Sequence, residues 1–95
     1  MPAFLIADID ITDPVTYDDY KRQVAPLIAR FGGRYVARGG RHEVLEGDWE
    51  LHRLVVLGFP DMASLKAWYD SPEYAPVKQI RDTSAKGRLI ALEGL

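Results

Sequence analysis

Apolar and polar residues alternate along this chain in two distinct rhythms, and the switches between them mark its elements. Ala3 to Ile11, AFLIADIDI, is rich in β-branched and aromatic residues and is stopped by Thr12, Asp13 and Pro14, which predicts a first strand. Asp13 is placed to cap a helix, with Pro14 at its first position, where a missing N–H costs nothing. Tyr17, Tyr20, Val24, Leu27, Ile28 and Phe31 then recur at steps of three and four and share one helical face. Gly32 and Gly33 end that helix, and Pro26 inside it predicts a bend because it removes the hydrogen bond to residue 22. Arg34 to Arg38 and His42 to Glu46 are extended in character, separated by Gly39-Gly40 and followed by Gly47-Asp48. They read as one long strand with a bulge at the two glycines and then a hairpin turn, or alternatively as two short strands.

His52 to Phe59, HRLVVLGF, predicts a third strand stopped by Pro60. Asp61 caps a short helix carrying Met62, Leu65, Trp68 and Tyr69, and Asp70-Ser71-Pro72 interrupts it before a further segment with Tyr74, Val77 and Ile80. Gly87 suits a helix C-terminus, and Arg88 to Leu92 forms the last strand. Strand, helix, strand, strand, helix, strand is the ferredoxin-like split arrangement, an α+β sandwich of helices on one face of an antiparallel four-stranded sheet. Its first and third strands occupy the middle of the sheet, and here they are the most apolar ones.

Those two strands are apolar on both faces. Phe4 and Ile6 alternate with Leu5, Ala7, Ile9 and Ile11, and Leu54 and Val56 alternate with Val55, Leu57 and Phe59. A half-exposed antiparallel sheet alternates polar with apolar residues instead. The helices blanket one face only, so the second face is expected to find its cover in an identical copy, sheet against sheet.

Length and charge then narrow the classes. Ninety-five residues fit one domain, 1–95, and the net charge of −2 and pI of about 5.6 lack the basic footprint of a nucleic-acid partner. No run approaches the ~20 apolar residues of a membrane helix, and the N-terminus has no signal-peptide pattern. Without cysteine there is no disulfide, thiolate nucleophile or Cys-based zinc site. A cytoplasmic protein without metal or cofactor is the expectation.

The stretches GGRYVARGG (Gly32 to Gly40), EVLEGDW (Glu43 to Trp49), RLVVLGFP (Arg53 to Pro60) and AWYDSPEY (Ala67 to Tyr74) resemble the domain-of-unknown-function family thirteen-thirty, and the likeness spans essentially the whole chain. That family is similar to the dimeric α+β barrel superfamily. The resemblance implies a ferredoxin-like subunit whose sheet pairs with a second one into a barrel. Relatives in that superfamily include cofactor-free monooxygenases, isomerases, heme enzymes and plain binding proteins, so the fold does not choose a function.

Several side chains are candidates for chemistry. Arg outnumbers Lys eight to four, and Arg30, Arg34, Arg38 and Arg41 lie within twelve residues. A guanidinium fork matches a carboxylate or phosphate; Arg38 and Arg53, beside the expected bulge and hairpin, are placed to hold an anionic substrate, whereas Arg30 and Arg34 read as solvated. The hairpin would set His42 opposite Arg53 and His52 opposite Glu43, making His42 the candidate catalytic base, although hairpin histidines are more often ordinary strand residues. Two histidines without a third ligand make no zinc platform. Tyr69, Ser71 and Tyr74 sit at the break between helical segments, where hydroxyls can face a cleft, while a helix cap is the stronger reading of Ser71. Trp68 reads as core. Trp49, after a turn, either closes over a pocket or packs on a partner. Asp8 is either a buried acid or the polar end of its strand. The expectation is a homodimer binding a small anionic or aromatic metabolite in a barrel pocket, either as a cofactor-independent enzyme of monooxygenase or isomerase type or as a non-catalytic binding or assembly module.

Overall fold

Two N-terminal caps and two apolar central strands organise the chain, which a computed structural model describes over residues 1–95. Strand β1 (Ala3–Ile11) leads into helix α1 (Pro14–Arg30), whose N-cap Asp13 accepts hydrogen bonds from the Thr16 backbone N–H at 3.3 Å and its hydroxyl at 2.7 Å. The helix is continuous through Pro26. Strands β2 (Arg34–Arg38) and β3 (Arg53–Phe59) follow, then α2 (Met62–Tyr69), α3 (Tyr74–Ser84) and β4 (Ala85–Glu93). Asp61 caps α2 by accepting from the Ser64 N–H at 2.7 Å.

The four strands form one antiparallel sheet in the order β2-β3-β1-β4, the ferredoxin-like topology. Leu5 lies opposite Leu57, and Ala7 opposite Val55. With Ala3, Ile9 and Phe59 they meet Tyr17, Tyr20, Val24, Ile28, Leu65, Trp68, Tyr74 and Val77 in one buried core between sheet and helices. Gly87 on β4 leaves room for its neighbours in the sheet: a Cβ there would meet Ile9 Cδ1 and Leu89 Cδ1, each at 3.1 Å. No helix is long and apolar enough to cross a membrane.

Three expectations about local structure need correcting. First, His42 to Glu46 is not a strand; residues 39–52 form an exposed arm without regular structure. A two-stranded ribbon projecting past the sheet would have no layer on which to bury Val44, Leu45 and Trp49, and such ribbons are marginal in water. Second, the bulge lies two residues after the start of β2, where the register shifts between Tyr35 and Ala37. Gly39 instead closes the ladder, with φ of +66° and its N–H donating to the Leu54 carbonyl at 2.8 Å, a conformation that suits glycine. Third, Gly87 stands inside β4 opposite Ile9. The helix before it ends at Ser84, whose carbonyl accepts from the N–H groups of Thr12 and Asp13, and Ala85 is already extended.

The other face of the sheet is bare of helices. Phe4, Ile6, Leu54, Val56, Ile90 and Leu92 lie on it, with Ile6 registered against both Val56 and Ile90. Asp8, on the same face, is buried, with 7% of its surface exposed.

Candidate functional site

A cleft opens on the helix side of the sheet, where α1 crosses it. Tyr17, Tyr20, Lys21, Val24 and Ile28 on α1 form one wall, because three- and four-residue steps aim them at the same side. Leu5, Ala7, Ile9, Val55 and Leu57 form the floor, with Trp68 of α2 and Arg81 of α3 closing it. The cleft encloses about 40 Å³, room for a few water molecules. Arg38, exposed, and Arg53, half-buried, line it beside these apolar walls.

Both arginines are held against aromatic rings. The Arg38 guanidinium carbon lies 4.7 Å from the centroid of Tyr35, and that of Arg53 lies 5.7 Å from the centroid of Tyr17. These distances suit cation–π attraction. Neither guanidinium forms an ion pair within the chain, whereas Lys21 pairs with Asp18 at 3.1 Å and Arg81 with Asp82 at 3.4 Å. The cleft therefore offers two cationic forks with unspent hydrogen-bond donors.

Behind them lies a buried polar cluster. The Tyr20 and Tyr74 hydroxyls are 2.9 Å apart, and Arg81 Nη1 donates to the Tyr74 hydroxyl at 3.4 Å. Burial pushes Tyr17, Tyr20 and Tyr74 above the usual tyrosine value, so all three stay protonated at neutral pH and act as hydrogen-bond partners rather than bases.

The remaining sequence candidates divide. Tyr74 is fully buried and lies in this cluster. Ser71 caps α3: its hydroxyl donates to the Trp68 carbonyl at 2.8 Å and accepts from the Tyr74 N–H at 3.1 Å. Tyr69 lies outside the cleft, over a hollow between α2 and β4. His42 and Trp49 stand in the arm and line a shallow hollow with Leu45 and Leu54. His42 is thus not opposite Arg53, and His52 is not opposite Glu43, because no hairpin ladder brings them together. His52 instead stands by Asp8, with Nδ1 3.4 Å from Oδ2, while its backbone N–H donates to Oδ1 at 2.7 Å. No group of three or more His, Asp or Glu side chains converges as a metal site would require.

Sequence reasoning missed Tyr17, Tyr20, Lys21 and Arg81 as cleft residues. The tyrosines were legible as a helix face, but not as the wall of a cleft. Arg81 carries a usable signal: it lies four residues after Val77 and seven after Tyr74, so α3 turns a cation toward its own apolar face.

Comparison with known proteins places this geometry in context. The family model described as "Domain of unknown function (DUF1330)" matches residues 2–95, and no curated protein matches the chain. Among solved structures, a structural-genomics target of unknown function from Rhodopseudomonas palustris superposes with a TM-score of 0.79 at 22% identity, covering 99% of this chain and 82% of that one. SnoaB, a cofactor-independent oxygenase from Streptomyces nogalater, superposes with a TM-score of 0.68 at 11% identity, covering 99% and 93%. A dimeric ferredoxin-like protein of unknown function from Jannaschia sp. CCS1 gives 0.65 at 15% identity, covering 99% and 100%. At these identities the likeness establishes the fold.

Proposed function

We propose, since this chain belongs to the DUF1330 family, that it binds a small anionic metabolite with a flat apolar body in the cleft between α1 and the sheet. One observation carries the reading: Arg38 and Arg53 line an apolar cleft with no carboxylate of their own to pair with. A carboxylate in their grasp forms charge-assisted hydrogen bonds at the edge of a low-dielectric space. The rings of Tyr17 and Tyr35 hold the two forks from behind. Because Arg38 is exposed and both side chains are long, they are the walls that yield when a ring-sized body enters.

Binding rather than turnover is the function that this geometry supports best. The tyrosines are locked in their protonated state, and His42, the candidate base of the sequence, stands in the arm away from the cleft. The likeness to a cofactor-independent oxygenase is one of fold and leaves the reaction open.

The test is calorimetric titration with aromatic carboxylates such as 3-phenylpropanoate. Arg53→Ala and Arg38→Ala are each expected to weaken binding about tenfold or more, the worth of a hydrogen bond to a charged group, and His42→Ala is expected to leave it unchanged. An affinity indifferent to both arginines would overturn the reading.

The bare sheet face supports a second element of the proposal, a homodimer. Phe4, Ile6, Leu54, Val56, Ile90 and Leu92 form a contiguous apolar surface in register across three strands, and an identical copy, sheet to sheet, would complete a barrel.

A further inference from the structure

The inner part of the cleft has donors to spare and almost no acceptors. Trp68 is 1% exposed and is one of the residues lining the cleft, and its indole Nε1 is buried with no hydrogen-bond partner. Beside it, with ring centroids 4.4 Å apart, stands Tyr74. The hydroxyls of Tyr74 and Tyr20 share a single hydrogen bond at 2.9 Å, which consumes one of their two hydrogens. Arg81 adds up to five N–H donors and spends them on the Tyr74 hydroxyl and on Asp82, both at 3.4 Å. The contacts of Trp68 with Phe59, Tyr69 and Tyr74 are ring against ring and make no use of the N–H. Buried donors are normally paired, and one that is not calls for an explanation.

We propose that this inner end is an acceptor subsite, in which Trp68 Nε1 donates to an oxygen of the bound ligand. The ligand class is then a carboxylate that carries a second, uncharged oxygen at its far end, a phenol or a ketone. The proposal rests on the anion-binding reading of the cleft and adds the other half of the ligand to it. Arg53 is registered with Ile9, and Phe59, against which Trp68 packs, with Ala3, six residues further along β1. At 3.3 Å per residue those six residues span about 20 Å, and Arg53 and Trp68, both lining the cleft, reach into that gap from its two ends.

The experiment compares 3-(4-hydroxyphenyl)propanoate with 3-phenylpropanoate, which lacks the phenol oxygen. Trp49 and Trp68 are the only tryptophans, so the chain gives two indole N–H resonances, and Trp49→Phe identifies that of Trp68. The hydroxylated probe is expected to move the Trp68 resonance downfield and to bind about tenfold tighter than the deoxy probe, and Trp68→Phe is expected to abolish that difference. Equal affinity for the two probes, with the Trp68 resonance unmoved in the native protein, overturns the subsite and leaves the arginine site standing. Failure of both probes to bind overturns the two together.

Discussion

Asp8 interrupts an otherwise apolar stretch of β1, and its surroundings explain how the strand tolerates it. Arg88 Nη2 donates to Asp8 Oδ2 at 2.7 Å, and the same guanidinium nitrogen donates to the Glu50 carbonyl at 3.0 Å. The His52 backbone N–H fills Oδ1. The Arg88 hydrogen bond, opposed by burial and assisted by His52, lowers the Asp8 pKa from 3.8 to about 2. A depressed pKa means that the folded state binds its proton less readily than the unfolded chain does. The stabilisation is therefore complete above pH 3.8 and is lost as pH falls through about 2. A carboxyl-carbon NMR titration should give Asp8 a midpoint near 2, moving up toward 3.8 in Arg88→Ala. Urea unfolding should show Asp8→Asn losing less stability than the native protein across that window, and equal acid sensitivity would refute the pairing. The sequence made Asp8 conspicuous without giving its partners, because they stand 44 and 80 residues away and meet it only through strand register.

At the scale of elements, the junction between α2 and α3 shows how much a short polar segment decides. The α2 helix stops at Asp70, and Ser71 bridges the gap by giving its hydrogen to the Trp68 carbonyl while accepting from the Tyr74 N–H. Ser71→Ala leaves both backbone groups buried without that partner and should cost about 1 kcal/mol, as loss of a helix cap does, lowering Tm by roughly 4–8 °C. A calorimetric Tm unchanged within error would show that Ser71 is dispensable as a cap. This junction was legible because Asp-Ser-Pro is a local signal, and so were both N-caps and the bounds of β1. The arm was not. Its residues alternate well enough to pass for a strand, yet strand formation depends on a neighbouring layer, which is a property of the whole sheet and not of the segment. The same division applies to the cleft. Arg38 and Arg53 were legible as a local excess of arginine, whereas Tyr17, Tyr20 and Arg81 join the site only through the crossing of α1 and α3 over the strands. Trp68 was legible as core, and its stranded N–H emerges only when every neighbour is in place.

For the whole molecule, the question is what keeps the bare face of the sheet from water. Its apolar residues cluster at the Phe4 and Ile6 end, while Asp8, Asp10, His52 and Arg88 hold the other end, so the face is divided into an adhesive half and an ionic half. Ile90 is 62% exposed in the single chain. Covering a fully exposed side chain of this kind is worth roughly 1.5–3 kcal/mol; with Ile90 and Leu92 exposed and Phe4, Ile6, Leu54 and Val56 already half-buried, the row together approaches the lower end of the roughly 5–15 kcal/mol that stabilises a typical domain. Association through this face would therefore supply a share of stability that a chain this small finds hard to gain alone. Light scattering after size exclusion at micromolar concentration should give twice the 10.7 kDa of one chain, with Tm rising as protein concentration rises. Ile90→Asp sets a carboxylate in the middle of the apolar row beside Ile6, and should shift the protein to the mass of one chain with a lower, concentration-independent Tm. Because the cleft lies on the opposite side of the sheet, that variant should keep its helical circular dichroism. A native protein that runs as a single chain at these concentrations would remove the barrel while leaving the cleft to be tested on its own.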